Sequence, residues 1–536
     1  MYTRFLVLSS WLLTVAWCQK PVISPGGVTN AASYVTATSI AGAFGKGLSG
    51  GSLVSIFGMN LAASTEAAST VPLPTKLGGT SVAVNGVAAP LFFVSPGQIN
   101  FQMPYCYGTC HTASPQGIVV STAAGSSDPY LVDGQGAEGL FTSDASGCGQ
   151  GAILNVRADG SVSVNSTANG AAPGDSISIF GTGLGIVSNP PPDGMPAQSA
   201  PLSASSVVGD SKLDSVDNPP VPGSYWAGRA PGLIGVDQFN FLVPDTTREG
   251  CAVPLQVVAL YGISQAVTVS IRKGGGPCVD PPSAGFGQIA WEKSVTTSTH
   301  PTVGSTTETD TLTVSLQSSP GKQAPATPAY TEGGLPGAPV YFGPSCPVSG
   351  YRSLDAGRIS TQAPGSSPVP ASVMPLTGPV SNLTVYQTML PNRSIHPGTF
   401  SVSAMGGGDV GPFQSSVQIG SEIHITTVIA GRLFDFTQPV TVNWTGGDPA
   451  SWVTFTIINH YGYEDVPHAV RARTSAGTAT IGTVAGHQQA APGLVSVVLE
   501  VDPDPSQIAA FAAPGLSLGG RHTWKYTYRF EDVMVQ

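Results

Sequence analysis

Residues 51–61, GSLVSIFGMNL, return at 174–184 as GDSISIFGTGL. A chain that writes one frame twice must build one interior twice, which restricts it to units in tandem. The correspondence continues. APLFFVSPGQINFQMP (89–104) matches YWAGRAPGLIGVDQFNFLVP (225–244), so Gln98, Asn100, Phe101 and Pro104 align with Gln238, Asn240, Phe241 and Pro244. GIVVSTAAGSSDPYLV (117–132) parallels PLQVVALYGISQAVTVSI (254–271). Alternate side chains of a strand face opposite sides. Val54 and Ile56, like Ile177 and Ile179, then point to a core, as do Ile99, Phe101 and Met103 and their counterparts Phe239, Phe241 and Val243. Gly58 and Gly181 are expected to end the strand at a sharp turn, after which Leu61 and Leu184 tuck back onto the core.

The second copy also carries a rival signal. Gly174-Asp175-Ser176-Ile177 reads like the nucleophile block of a GDSL-type hydrolase, with Asp465 and His468 as the rest of a triad. A triad needs hydrogen-bond contact between nucleophile and base. Ser176 and His468 lie in separate β-rich regions, and Asp175 and Ser176 do not recur, since Ser52 and Leu53 replace them. Packing explains the recurring letters without chemistry, so no catalytic residue is assigned. The amides Gln98, Asn100, Gln238 and Asn240 read first as side chains bonding nearby loop backbone, and second as a polar ligand strip.

The rest of the chain fits an all-β class. Of 536 residues, charged ones make up 10%, Gly reaches 67 and Pro 47. Extended alternating segments are separated by turn residues, and no long stretch shows a helical period. The net charge of −10, with no basic cluster, argues against nucleic acid as a partner. Residues 1–18 read as a signal peptide: Arg4 precedes the apolar run Phe5–Trp17, too short to span a bilayer but suited to a secretory core. Cys18 stands either at the cleavage edge or as an acylated first residue, with bulky Trp17 weighing against acylation. No later segment is apolar enough to cross a membrane. Secretion or a cell-surface or periplasmic location follows as the expectation. Six further cysteines then suggest disulfides. Cys251 opens one strand and Cys278 closes the next, which pairs them; Cys106 and Cys110 flank a short turn and make a second pair; Cys148 and Cys346 are left over as free thiols. No CxxC occurs, and no metal or cofactor is assigned.

GGVTNAASY (26–34), GSLVSIFGMNL, LGGTSVAVNGVAAPLFFVSPGQINFQMP (77–104) and the second-copy blocks resemble the uncharacterised Solibacter C-terminal domain of exported Acidobacterial proteins. The G-x-x-V-x-I-x-G-x-N-L frame is also similar to IPT/TIG domains. The resemblance covers about residues 21–275 and implies paired immunoglobulin-like sandwiches in an extracytoplasmic protein, with no activity attached. That domain usually ends its chain, whereas about 260 residues follow it here.

The expected organisation is a signal peptide (1–18), immunoglobulin-like sandwiches at 21–148 and 149–275, a Gly/Pro linker at 276–286, a loop-rich sandwich at 287–420 and a C-terminal sandwich at 421–536. Strands are expected at 309–317, 382–390, 398–406, 413–420, 440–447, 451–459, 494–501 and 522–530. The segment NHYGYEDVPH reads as a solvated loop, its rival reading a metal site of His460, Glu464, Asp465 and His468. Trp444, Trp452 and Trp524 read as buried cross-strand aromatics, with a carbohydrate platform as the rival. Asp502 and Asp504 lack the rest of a Ca²⁺ loop. Asn165, Asn382, Asn392 and Asn443 head chance Asn-x-Ser/Thr triplets. These readings make the chain an exported, non-catalytic protein of surface interaction, adhesion or envelope structure, whose partner is a protein or glycan. The other reading is a carbohydrate-binding accessory protein or glycan-active enzyme with its active part in the C-terminal half.

Overall fold

A computed structural model describes residues 19–37, 47–105, 116–132, 138–185, 187–205, 210–213, 216–218, 225–245, 247–259, 262–280, 284–298, 305–319, 352–375, 384–429, 438–461, 464–481 and 494–534. The chain is all-β, and its first half is two sandwiches in tandem. In the first, a sheet ordered 22–30, 53–59, 98–102, 91–94, 66–67 faces one ordered 130–132, 116–122, 81–84, 87–88. In the second, the order 162–164, 153–156, 176–182, 237–242, 226–229 faces 216–218, 210–213, 250–259, 262–263. Each core is filled by the alternating apolar residues of both inner faces. Val54, Ile56, Ile99 and Phe101 meet Val82, Val84, Ile118 and Val120; Ile177, Ile179, Phe239 and Phe241 meet Val253, Leu255, Val257 and Val269.

The duplication holds at the level of register. Ile56 pairs with Ile99, Ser55 with Asn100 and Val54 with Phe101. Ile179 pairs with Phe239, Ser178 with Asn240 and Ile177 with Phe241. A one-residue slip in either copy would turn every core side chain outward, so the shared letters and shared register have one cause.

Gly58 and Gly181 act differently from expectation. Both lie inside their strands, which run on to Met59 and Thr182. A Cβ on Gly58 would collide with the carbonyl oxygen of Val22; one on Gly181 would lie 2.6 Å from that of Gly139. Close approach of the neighbouring strand therefore demands glycine, and the turn comes later, at Asn60 (φ 56°) and Gly183 (φ 122°).

Two expected boundaries move. The second sandwich takes in Gly139–Leu140, which pair with Thr182 and Gly181, because Leu140 is buried in its core; the chain passes between sandwiches before 139 rather than at 149. The expected linker 276–286 is largely structured. Gly276 bridges to Gly170, Cys278 is bonded to Cys251, and Ala284 begins a strand.

That strand, Ala284–Ser298, opens on Gly285 and Gly287, which in the sequence extend the Gly/Pro run of the expected linker. It pairs along its whole length with Ser305–Ser319 and in parallel with Gly520–Met534, matching Trp291 with Trp524. The resulting sheet has strands from 284–390 in one block and from 452–534 in the other. Sheets 369–370/359–362/398–404/413–419 and 423–425/440–446/478–481 pack with it among the described residues, and one core includes residues from both sides of residue 420, Phe400 and Phe455 among them. A single continuous sheet thus spans residue 420. The segment read as a loop around His460 is instead a hairpin of Trp452–Tyr461 and Glu464–Arg473.

If the two interiors are equivalent, Ile56→Ala and Ile179→Ala should each cost about 2–5 kcal/mol. Calorimetric unfolding of the two variants checks this; a large loss in one with none in the other would break the equivalence.

Candidate functional site

The residues singled out in the sequence are placed as follows. Cys251 and Cys278 form a disulfide with Cα atoms 5.2 Å apart, the pairing expected from the hairpin. Cys106, Cys110 and Cys346 fall outside the described residues. Cys148, expected to be free, is itself disulfide-bonded, so counting spacings misassigned it. Asp175 closes a local turn, its Oδ2 accepting the amide of Ala172 at 2.8 Å, and Ser176 opens a ladder strand opposite Leu242. His468 is paired with Ile457 in the hairpin of the second half, and Asp465 with His460. The side chains of that hairpin tip lie outside the described residues; elsewhere among the described residues no group of three metal-ligating side chains occurs.

The strand amides bond each other rather than loop backbone. Gln98 Nε2 donates to Asn100 Oδ1 at 2.9 Å, and Gln238 Nε2 to Asn240 Oδ1 at 3.0 Å. Ser55 Oγ also donates to Asn100 Oδ1. Trp444, Trp452 and Trp524 are buried. Trp444 Nε1 donates to the carbonyl of Thr474, and the Arg473 guanidinium stacks 3.8 Å over Trp452. No flat aromatic platform forms from these three. Asp504 accepts from Ser506 within its own turn and from Arg473 Nη1 at 2.6 Å, an ion pair to the end of the strand Glu464–Arg473.

What the sequence reading missed is the joint between the first two sandwiches. The end of the repeated strand differs between copies, Met59 in the first and Thr182 in the second. Met59 is 62% exposed, whereas Thr182 is 0% exposed. Thr182 accepts the amide of Leu53 at its Oγ1 (2.8 Å) and the Asn30 side-chain amide at its carbonyl (2.9 Å), both from the first sandwich. Its hydroxyl donates to the carbonyl of Gly235 at 2.7 Å. In the first copy, the amide of Leu61 after the strand bonds the carbonyl of Pro96. In the second, the amides of Gly183 and Leu184 bond Oδ2 of Asp237, both at 2.8 Å.

Asp237 is in turn ion-paired with Arg229 Nη1, and both are fully buried. Arg229 Nη2 donates to the carbonyls of Gly185 and of Gly50, each at 2.9 Å, and the guanidinium lies 5.3 Å from the Tyr105 ring centroid. Gly50 and Tyr105 belong to the first sandwich, so one side chain ties the two together. Around this centre, Gly194 donates to Gln102 Oε1 at 2.7 Å and Tyr105 N to Asp193 Oδ1 at 3.0 Å. The connecting residue Glu138 is buried beside Asp237. Burial raises its pKa well above the ordinary carboxylate range, and the neighbouring Asp237 charge raises it further.

A second joint lies where the long sheet fuses. Trp291 Nε1 donates to His522 Nε2 at 2.7 Å, and His522 Nδ1 meets Ser415 Oγ at 2.9 Å. Nε2 accepts, so the proton of a neutral ring is on Nδ1 and is donated to Ser415. This Ser–His contact cannot activate the hydroxyl, because the facing nitrogen already carries its proton. Burial lowers the His522 pKa to about 3. Nearby, Lys293 Nζ bridges Glu308 at 3.2 Å and Glu422 at 3.1 Å, and Tyr528 donates to Glu422.

A scan of family models and a search of curated proteins return no match. The family resemblance therefore rests on the sequence blocks alone. Among solved structures the chain is similar to domains A168–A170 of titin, at 11% identity over 70% of this chain and 95% of that one, with a TM-score of 0.12. It is also similar to the FN1–FN3 domains of chicken CNTN1 (9% identity, 64% and 91% covered, TM-score 0.13). The N-terminal four Ig domains of Dscam1 isoform 8.4 share 10% identity over 92% of this chain and 99% of that one, with a TM-score of 0.13. At such scores these likenesses carry no argument. Among the described residues no helix is long and apolar enough to cross a membrane.

Arg229→Met strands a buried carboxylate, so it should cost about 3–5 kcal/mol, part of it recovered by adding Asp237→Asn. Calorimetry of the single and double variants measures this. For His522, the folded pKa lies below the ordinary 6.5. Its contribution is complete above that value and falls by about 1.4 kcal/mol per pH unit as pH drops from there toward about 3. Melting curves of the wild type and His522→Asn across that window should diverge, the wild type showing the steeper loss.

Proposed function

We propose that this chain is an exported, non-catalytic protein of tandem immunoglobulin-like sandwiches that presents its surface to a protein or glycan at the cell envelope. The observation that carries the reading is the joint centred on Arg229. A buried guanidinium shared between two sandwiches makes them a stiff arm rather than beads on a string, and a stiff arm suits a protein that holds a binding face in a fixed orientation. The Cys251–Cys278 disulfide and the bonded Cys148 support an oxidising compartment. The signal-peptide reading of residues 1–18 points the same way, as does the similarity to an exported family. Burial of Trp444, Trp452 and Trp524 removes the sequence argument for a glycan platform in the C-terminal half.

The test is made in the native host. The protein should be recovered from the envelope or medium, lacking residues 1–18 and with Cys251 and Cys278 oxidised in peptide maps. A strain lacking it should lose attachment to cells or surfaces, and re-expression should restore it. Recovery from the cytoplasm with its N-terminus intact and its thiols reduced would overturn the reading.

A further inference from the structure

We propose that Glu138 and Asp237 share one proton and act as an acid-closed latch on the joint between the first two sandwiches. The latch is a property of the joint and stands whatever the arm contacts. Glu138 lies in the connecting segment, between the last strand of the first sandwich, Tyr130–Val132, and the first pairing residue of the second, Gly139. It is 2% exposed, no N–H or O–H of another residue donates to either carboxyl oxygen, and the carboxyl lies within hydrogen-bond reach of Asp237. The side chain is wedged against the repeated strand: a Cβ on Gly181 would lie 2.6 Å from Glu138 Oε1.

The charged groups facing it are Asp237 and Arg229, and Tyr105 lies against Arg229 rather than against Glu138. Asp237 is committed as an acceptor to the amides of Gly183 and Leu184 and to Arg229, which suits its ionised form. One cation therefore balances one carboxylate. A second ionised carboxylate would leave a net negative charge, buried and without a donor. A protonated Glu138 removes that charge and supplies an O–H that Asp237 can accept. Arg229 Nε is also without an acceptor, so the rival state is an ionised Glu138 turned onto that nitrogen.

The sign follows from linkage. In an opened joint Glu138 meets water and titrates near its ordinary 4.5, whereas in the closed joint burial raises its pKa. Closure takes up a proton, so it is fully favoured below the ordinary value and weakens as pH rises above it. Through that window the closed-to-open ratio falls about tenfold per pH unit.

Hydrogen exchange on the full chain tests this, comparing the amides of Leu53 and Gly194, which donate across the joint to Thr182 Oγ1 and Gln102 Oε1, with those of the core residues Ile56 and Ile179 in the same sample. In the wild type the joint amides should lose protection relative to the core as pH rises. Glu138→Gln, whose amide N–H donates to Asp237 and does not titrate, should stay protected throughout. The infrared spectrum of ¹³C-glutamate-labelled wild type should show a carboxylic-acid carbonyl band at neutral pH that Glu138→Gln lacks. That band stands as the test even if the variant does not fold. No acid band, together with joint protection that does not vary with pH, would overturn the latch and establish an ionised Glu138 on Arg229.

Discussion

Arg229 is the constraint on which the arrangement of the first half depends. Its guanidinium offers donors in a fixed plane, and those donors go to Asp237 and to carbonyls from both sandwiches. A buried ion pair adds little net stability once desolvation is counted, but breaking it is expensive. Its effect is therefore to select one relative orientation, since any other leaves a charge or a carbonyl unpaired. Lysine would carry the charge but not the planar geometry that reaches three acceptors.

The two copies diverge where they meet. Met59 and Thr182 occupy equivalent ends of the repeated strand, yet only Thr182 has a neighbouring sandwich to bond. Gly97 and Asp237 precede the matched glutamines Gln98 and Gln238. A carbonyl at Pro96 is enough for Leu61 in the first copy, while the second uses a carboxylate that also holds Arg229. The differences at Thr182 and Asp237 thus record contact between sandwiches, whereas the GDSI block that resembled a nucleophile serves the second sandwich alone: a turn-closing Asp175 and a ladder residue, Ser176.

The second half is organised by a long-range event, the parallel pairing of Ala284–Ser298 with Gly520–Met534. Trp291 and His522 sit two rungs apart on that seam and bond across it, and Ser415 joins from the facing sheet. A histidine held neutral by burial adds direction, because only one tautomer satisfies both neighbours.

The sequence by itself determined the class, the duplicated interiors and the Cys251–Cys278 pair, because alternation and strand ends are local properties. Val54, Ile56, Ile177 and Ile179 were legible as core from spacing alone, as were the buried tryptophans. The strand at 284 was not, since Gly285 and Gly287 at its start extend the Gly/Pro run and imitate a linker, although Ile289 and Trp291 alternate with Gln288 and Glu292 beyond them. Nor was the charged joint. Glu138, Arg229 and Asp237 are ordinary surface letters in the sequence, and no spacing rule brings a connector, a loop-flanked strand and a core strand to one point. Only tertiary contact removes water from that point, and it is the loss of water that turns three common charges into the element holding two sandwiches in one orientation.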